Sequence, residues 1–233
     1  MDAGKTDPIA ALGEFFALPA ADPATWRPIR SLCGDQAAVH EYTMRTRAAT
    51  AVGFGIDETD VPVKAAASSV HLSITARLLS PVVGAAACLG TVPLLTLDSL
   101  FWQPDSSHRP ALGTAGAQSV TETDPNRAAT VIAGSLIGDV LSLLNDTMRL
   151  AGTLSPQVMW GNIASAANGA VTVLAQTRPD AQTRGRDLID ALIATEPLRG
   201  TADFAGGRFR RRSCCLFYQV PGGGYCGDCV LVD

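Results

Sequence analysis

Four of the six cysteines fall within the last twenty residues, as Cys214-Cys215, Cys226 and Cys229, in the spacing C-C-x10-C-x2-C. Four thiolates in so short a stretch suit a chain that wraps around one metal centre. That centre is either a tetrahedral zinc site or the ligand set of an iron–sulfur cluster. Leu216 to Val220 reads as a short strand, and Pro221-Gly222-Gly223-Gly224 as a tight reversal that brings the cysteine pairs together. Cys226-x-x-Cys229 then reads as a metal knuckle. A disulfide pair and a thioredoxin-type redox pair compete. The first is disfavoured because the N-terminus carries no secretory signal. The second is disfavoured because that motif normally opens a helix, and only four residues follow Cys229. The spacing matches neither the bacterial nor the plant-type ferredoxin run, so ligand rules alone leave zinc and iron–sulfur both open.

The stretch RRRSCCLFYQVPGGGYCGDC, residues 210–229, resembles the C-terminal signature of the FhuF-like ferric-siderophore reductases. RLLSPVVGAAA, from Arg77 to Ala87, and MWGN, from Met159 to Asn162, resemble further segments of that family. The resemblance implies a [2Fe-2S] cluster held by Cys214, Cys215, Cys226 and Cys229. It also implies one-electron reduction of a ferric siderophore, which releases iron because ferrous iron is held far less tightly by oxygen chelators. The sequence has no flavin or nicotinamide motif, so electrons come from a separate donor of the ferredoxin or flavin reductase type. Two other readings are a zinc-stabilised module that binds siderophore or protein without redox activity, and an iron–sulfur sensor of iron or oxidant.

At 233 residues, with 47% hydrophobic and 17% charged residues, the chain has enough apolar material for a proper core. A net charge of −4 argues against a nucleic-acid partner. Leu78 to Leu97 is twenty residues without a charge, long enough to span a bilayer. Pro81, Gly84, Gly90 and Pro93 interrupt it, so it reads as a helix end followed by a strand. The expected location is cytoplasmic, with any contact to the inner membrane peripheral.

The expected fold class is α+β, predominantly α-helical with a small antiparallel sheet and a C-terminal iron–sulfur segment. Residues 1–205 form a mainly helical, substrate-binding body, and residues 206–233 the [2Fe-2S]-binding segment. Asp7-Pro8 opens a short helix carrying Ile9, Leu12 and Phe16, and residues 22–31 form a linker or short turn of helix. Asp35 caps a longer helix that Gly53 and Gly55 stop. A buried helix runs over 63–79, with Pro81 kinking or restarting it. Thr91 to Trp102 is strand-like, and Ala111 to Thr121 pairs back on it. Asp124-Pro125 opens a helix with Ile132, Leu136, Val140, Leu143, Leu144 and Met148 in one stripe. Ser155-Pro156 opens the next, Asp180 a third, and Asp203 to Gly207 is a loop.

Arg208, Arg210, Arg211 and Arg212 stand just before the first cysteine. Guanidinium charge there stabilises the reduced form of an anionic cluster and attracts an anionic chelate. These four and Trp160 are the candidate substrate contacts, and no catalytic group beyond the cluster is needed. Phe217, Tyr218 and Tyr225 are expected between cluster and body. His40, His71 and His108 read as packing or surface residues, and Cys33 and Cys88 as buried free thiols. Gly222-x-Gly224-x-x-Gly227 matches a dinucleotide fingerprint only by letters, since no helix follows it. The substrate pocket is expected mainly from the helical body, with the cluster at its rim.

Overall fold

The structure is a computed structural model that describes residues 8–232. Asp7, the expected first cap, lies outside the described residues. Helix α3 (Val63–Leu89) is the spine. It is apolar on nearly every side, which forces burial, and α2 (Gln36–Phe54), α6 (Pro156–Thr177) and α7 (Gln182–Ala194) pack around it. The helix runs on through Pro81 rather than restarting there. An interior proline costs about 3 kcal/mol. Full burial of Leu78, Leu79, Val82 and Val83 outweighs that, at roughly 1.5–3 kcal/mol each. The helix then ends at Leu89 and β2 (Thr91–Leu94) follows, as the glycines and prolines predict.

The expected caps form. Asp35 accepts from Ala37 N, Asp124 from Arg127 N and Ser155 from Val158 N. The stripe from Ile132 to Met148 lies on one run, but α4 (Pro125–Ile132) and α5 (Ser142–Leu150) are joined by a π-helical segment, Ala133–Leu141. Ile132, Leu136, Val140, Leu144 and Met148 repeat every four residues and are all fully buried. That repeat overruns the 3.6 residues of an α-turn. The wider π turns absorb the excess and keep the stripe facing the core.

The strands depart further from expectation. Thr91 to Trp102 is not one strand. It divides into β2 and β3 (Leu100–Gln103), separated by a turn in which Thr96 N donates to Ser99 Oγ. The returning stretch divides likewise into β4 (Ala111–Thr114) and β5 (Gln118–Thr121). The antiparallel register is Leu100↔Thr114 in one sheet and Thr91↔Thr121 in another. A short β1 (Arg27–Pro28) and a helical turn, α1 (Arg30–Cys33), occupy the expected linker, and two 3-10 turns replace the first helix. By length and composition, α3, Pro125–Leu150 and α6 are each long and apolar enough to cross a membrane.

Candidate metal centre

The expected loop at Asp203 to Gly207 is instead half of a hairpin. β6 (Ala202–Ala205) pairs with β7 (Arg208–Arg211) in the register Phe204↔Phe209. This hairpin seats the cysteine segment against α6. Arg211 N donates to Asp228 O, Arg208 Nη2 to Gly227 O and Arg210 Nη2 to Val230 O. Three of the expected substrate contacts, two through the side chain and Arg211 through its main-chain N–H, therefore clasp the loop that carries Cys226 and Cys229. Arg212 is exposed and pairs with Asp203 at 3.0 Å.

The stretch from Leu216 to Val220 is not a strand. Leu216 takes a positive φ of 70°, and Phe217–Gln219 is a 3-10 turn. Its Leu-Phe-Tyr composition suits a sheet, but the thiol pairs must face each other, which needs a reversal directly after Cys215. The expected glycine reversal is present. A Cβ on Gly223 would lie 2.7 Å from Phe217 O and 3.0 Å from Val220 O, so a side chain does not fit.

This folding gives each thiol a backbone donor two residues on. Leu216 N donates to Cys214 Sγ at 3.3 Å and Leu231 N to Cys229 Sγ at 3.4 Å. The main-chain N–H groups of Phe217 and Asp228 favour the thiolates of Cys215 and Cys226 in the same sense. N–H donors on sulfur stabilise thiolate and are one of the levers that set iron–sulfur potentials. Four thiols with four main-chain donors fit a [2Fe-2S] cluster. Among the described residues, no three His, Cys, Asp or Glu side chains converge where one metal ion would sit.

The electrostatics favour an anion. The neighbouring Cys226 thiol, then the Phe217 N–H and the Arg211 charge, hold the Cys215 thiol down to about 6, whereas Cys215 and burial push Cys226 up against the opposing Asp228 N–H and Arg211 charge. Burial raises the Cys214 thiol. Arg211 is 1% exposed, a rare state for a guanidinium. Its Nη2 donates to Val158 O at 3.3 Å, while Nε is buried without a hydrogen-bond partner among the described residues. Burial lowers its basicity; Cys215, Cys226, Asp228 and Cys214 are the negative groups that oppose this. Asp228 is raised by burial and accepts from Ser165 Oγ and Asn168 Nδ2 on α6.

The MWGN segment explains how a guanidinium reaches this position. A Cβ on Gly161 would collide with Ser213 Oγ and lie 3.0 Å from Arg211 Nη2, so glycine lets the end of β7 lie on α6. Next to it, Asn162 Nδ2 donates to Ser68 O and Oγ and to His71 Nδ1, and His71 Nε2 donates to Asn145 Oδ1. His71 is fully buried, and burial lowers its pKa to about 4. His40 is exposed and His108 half-buried. Cys33 is buried, its thiol pushed up to about 12, whereas Cys88 is only half-buried.

Cys215 and Cys226 face a cleft of about 770 Å³ whose opposite wall is α3, with Ser69, Ser73, Ala76 and Arg77, and which Arg109 also lines. None of Arg208, Arg210, Arg211, Arg212 and Trp160 lines it. Trp160 borders a separate hollow of about 270 Å³ with Arg212 and Ser213. Of the three aromatics expected between cluster and body, only Phe217 takes that place, edge-on to Phe54 at 6.0 Å. Tyr218 and Tyr225 are exposed. Arg77 and Arg109 were missed as site residues. The available signal was Arg77, the one charge between Lys64 and Asp98 in a long apolar run.

The site defines the class: an iron–sulfur protein with a two-iron centre. Residues 211–231 match the family model of the FhuF 2Fe-2S C-terminal domain, and Cys214, Cys215, Cys226 and Cys229 are consistent with its motif. The match indicates a [2Fe-2S] cluster. No curated protein matches the chain.

Proposed function

We propose that the protein reduces a ferric siderophore by one electron, the chelate lying in the cleft between α3 and the cysteine segment. The observation that carries this reading is the opening of Cys215 and Cys226 onto a cleft of about 770 Å³. That volume lies within the roughly 300–1,000 Å³ of small-molecule sites. Cys214, Cys215, Cys226 and Cys229 are the ligands, and the bound cluster supplies one-electron chemistry. Arg211 holds positive charge beside the thiolates in a place that water does not reach. The four main-chain N–H groups orient the sulfurs, and Phe217 covers the join between cleft and core. The helical body supplies most of the cleft wall. No residue transfers a proton to the chelate. The electron donor is a separate protein, and the location is cytoplasmic.

The test is anaerobic. Protein reduced with dithionite and freed of excess reductant is mixed with ferric siderophores and a ferrous trap. Bleached protein should recover its visible absorption as trapped ferrous iron appears, one iron per electron. Recovery with oxygen but none with any ferric chelate would leave the sensor reading in possession. Stoichiometric zinc without labile sulfide would favour the binding module.

A further inference from the structure

Arg77 projects from α3 into the cleft wall, where its Nε donates to Ser73 O and its Nη1 to Pro110 O. Its Nη2 is buried and has no hydrogen-bond partner among the described residues. Arg109 lines the same cleft, exposed, with Nε donating to His108 Nε2. Among the described residues neither arginine pairs with a carboxylate. Glu14 lines the cleft but forms no ion pair with either. Burial, then the charge of Arg109, lowers the basicity of Arg77 to about 10.

A largely buried cation beside a second cation is unfavourable until an anion arrives. The thiols are not that anion: among the described residues Arg77 makes no hydrogen bond to Cys215 or Cys226. Both cysteines open on the same cleft, so an anionic ligand there is repelled by the cluster unless guanidinium charge lies alongside it. Guanidinium forks match carboxylate and catecholate oxygens in shape as well as charge.

We propose that Arg77 and Arg109 make this cleft selective for ferric chelates of net negative charge, with Arg77 Nη2 donating to an oxygen at the chelate's edge. The inference rests on the reading that the cleft receives the chelate. The probes are gallium(III) chelates, which match ferric ones in charge and size but are not reduced. A trianionic tris-catecholate and a neutral tris-hydroxamate of similar size are titrated into the cluster-loaded protein by calorimetry. The anionic chelate should bind at least about tenfold tighter at low salt, and the gap should shrink as salt shortens the screening length. Arg109→Gln and Arg77→Met should each cut the ratio of the two affinities about tenfold. Arg109 is exposed, so its variant decides the matter if Arg77→Met does not fold. Equal affinities, preference for the neutral chelate, or a ratio unmoved by Arg109→Gln would overturn the proposal. Reduction of the ferric forms is measured separately. Tight, arginine-dependent binding without reduction sinks the reductase and leaves the anion site. Equal reduction of both chelates with Arg109→Gln silent does the reverse.

Discussion

Gly161→Ala should dislodge the metal centre from the body. The new methyl would overlap Ser213 Oγ and stand 3.0 Å from Arg211 Nη2 and 3.4 Å from Nε. Helix α6 cannot retreat, because Ile163 and Ala167, turned away from Gly161, are fully buried. The β7 end must therefore shift outwards. Overpacking of this kind costs about 1–3 kcal/mol. Pulling Arg211 from Val158 O adds about 1.5–3 kcal/mol for a bond to a charged group. A combined loss of about 3 kcal/mol or more is a large share of a domain's roughly 5–15 kcal/mol. The assay is urea unfolding followed by helical circular dichroism, with cluster loading read from iron, sulfide and visible absorption. Both should fall. Ser213→Ala in the same chain removes the colliding oxygen and should restore most of the loss, a coupling that a double-mutant cycle measures directly. If Gly161→Ala lies within about 0.5 kcal/mol of the parent, or Ser213→Ala rescues nothing, the argument from close approach fails.

Serine at Cys214, Cys215, Cys226 or Cys229 should abolish or cripple cluster loading of about two irons and two sulfides per chain, while Cys33→Ser and Cys88→Ser keep it; a normal spectrum in Cys226→Ser would show the ligand set to be wrong. Arg211→Met should lower the reduction potential, because it removes the buried charge facing the thiols. Arg212→Gln, at an exposed pair with Asp203, should leave the potential in place; equal shifts in the two variants would contradict this division. For His71, the unfolded chain takes up a proton below about 6.5 while the folded one stays neutral down to about 4. Stability should therefore fall as pH drops through that window, by about 3 kcal/mol from this residue. His71→Gln should lose that share of the acid sensitivity in pH-stepped urea titrations, and parallel curves for the two proteins would refute it.

The cysteine segment was legible because ligand chemistry restricts both residue type and spacing. Asp35, Asp124 and Ser155 marked their helices for an equally local reason, an oxygen beside free N–H groups. Leu216 to Val220 misled because its β-forming side chains were read without the demand that Cys215 turn the chain back on itself. The β6–β7 hairpin carried a usable signal, Gly206-Gly207 between two short runs, which the surrounding arginines obscured. The π segment was invisible to a reading in 3.6-residue turns, although the every-four repeat from Ile132 to Met148 encodes it. A pocket in the helical body with the cysteines at its rim was expected, but the lining of the cleft was not legible. It joins Arg77, Arg109 and Cys215, which no local pattern relates, and only the packing of the C-terminal segment across α3 brings them to one place.

The donors on the four sulfurs belong to the main chain. Replacing the side chain of Leu216, Phe217 or Leu231 leaves the N–H where it was. The polar setting of the thiolates is thus insulated from most point mutations, and sequence drift in this loop can remodel its surface without retuning the centre. Proline alone deletes such a donor. Variation among chains of this kind should accordingly exclude proline at positions 216, 217, 228 and 231.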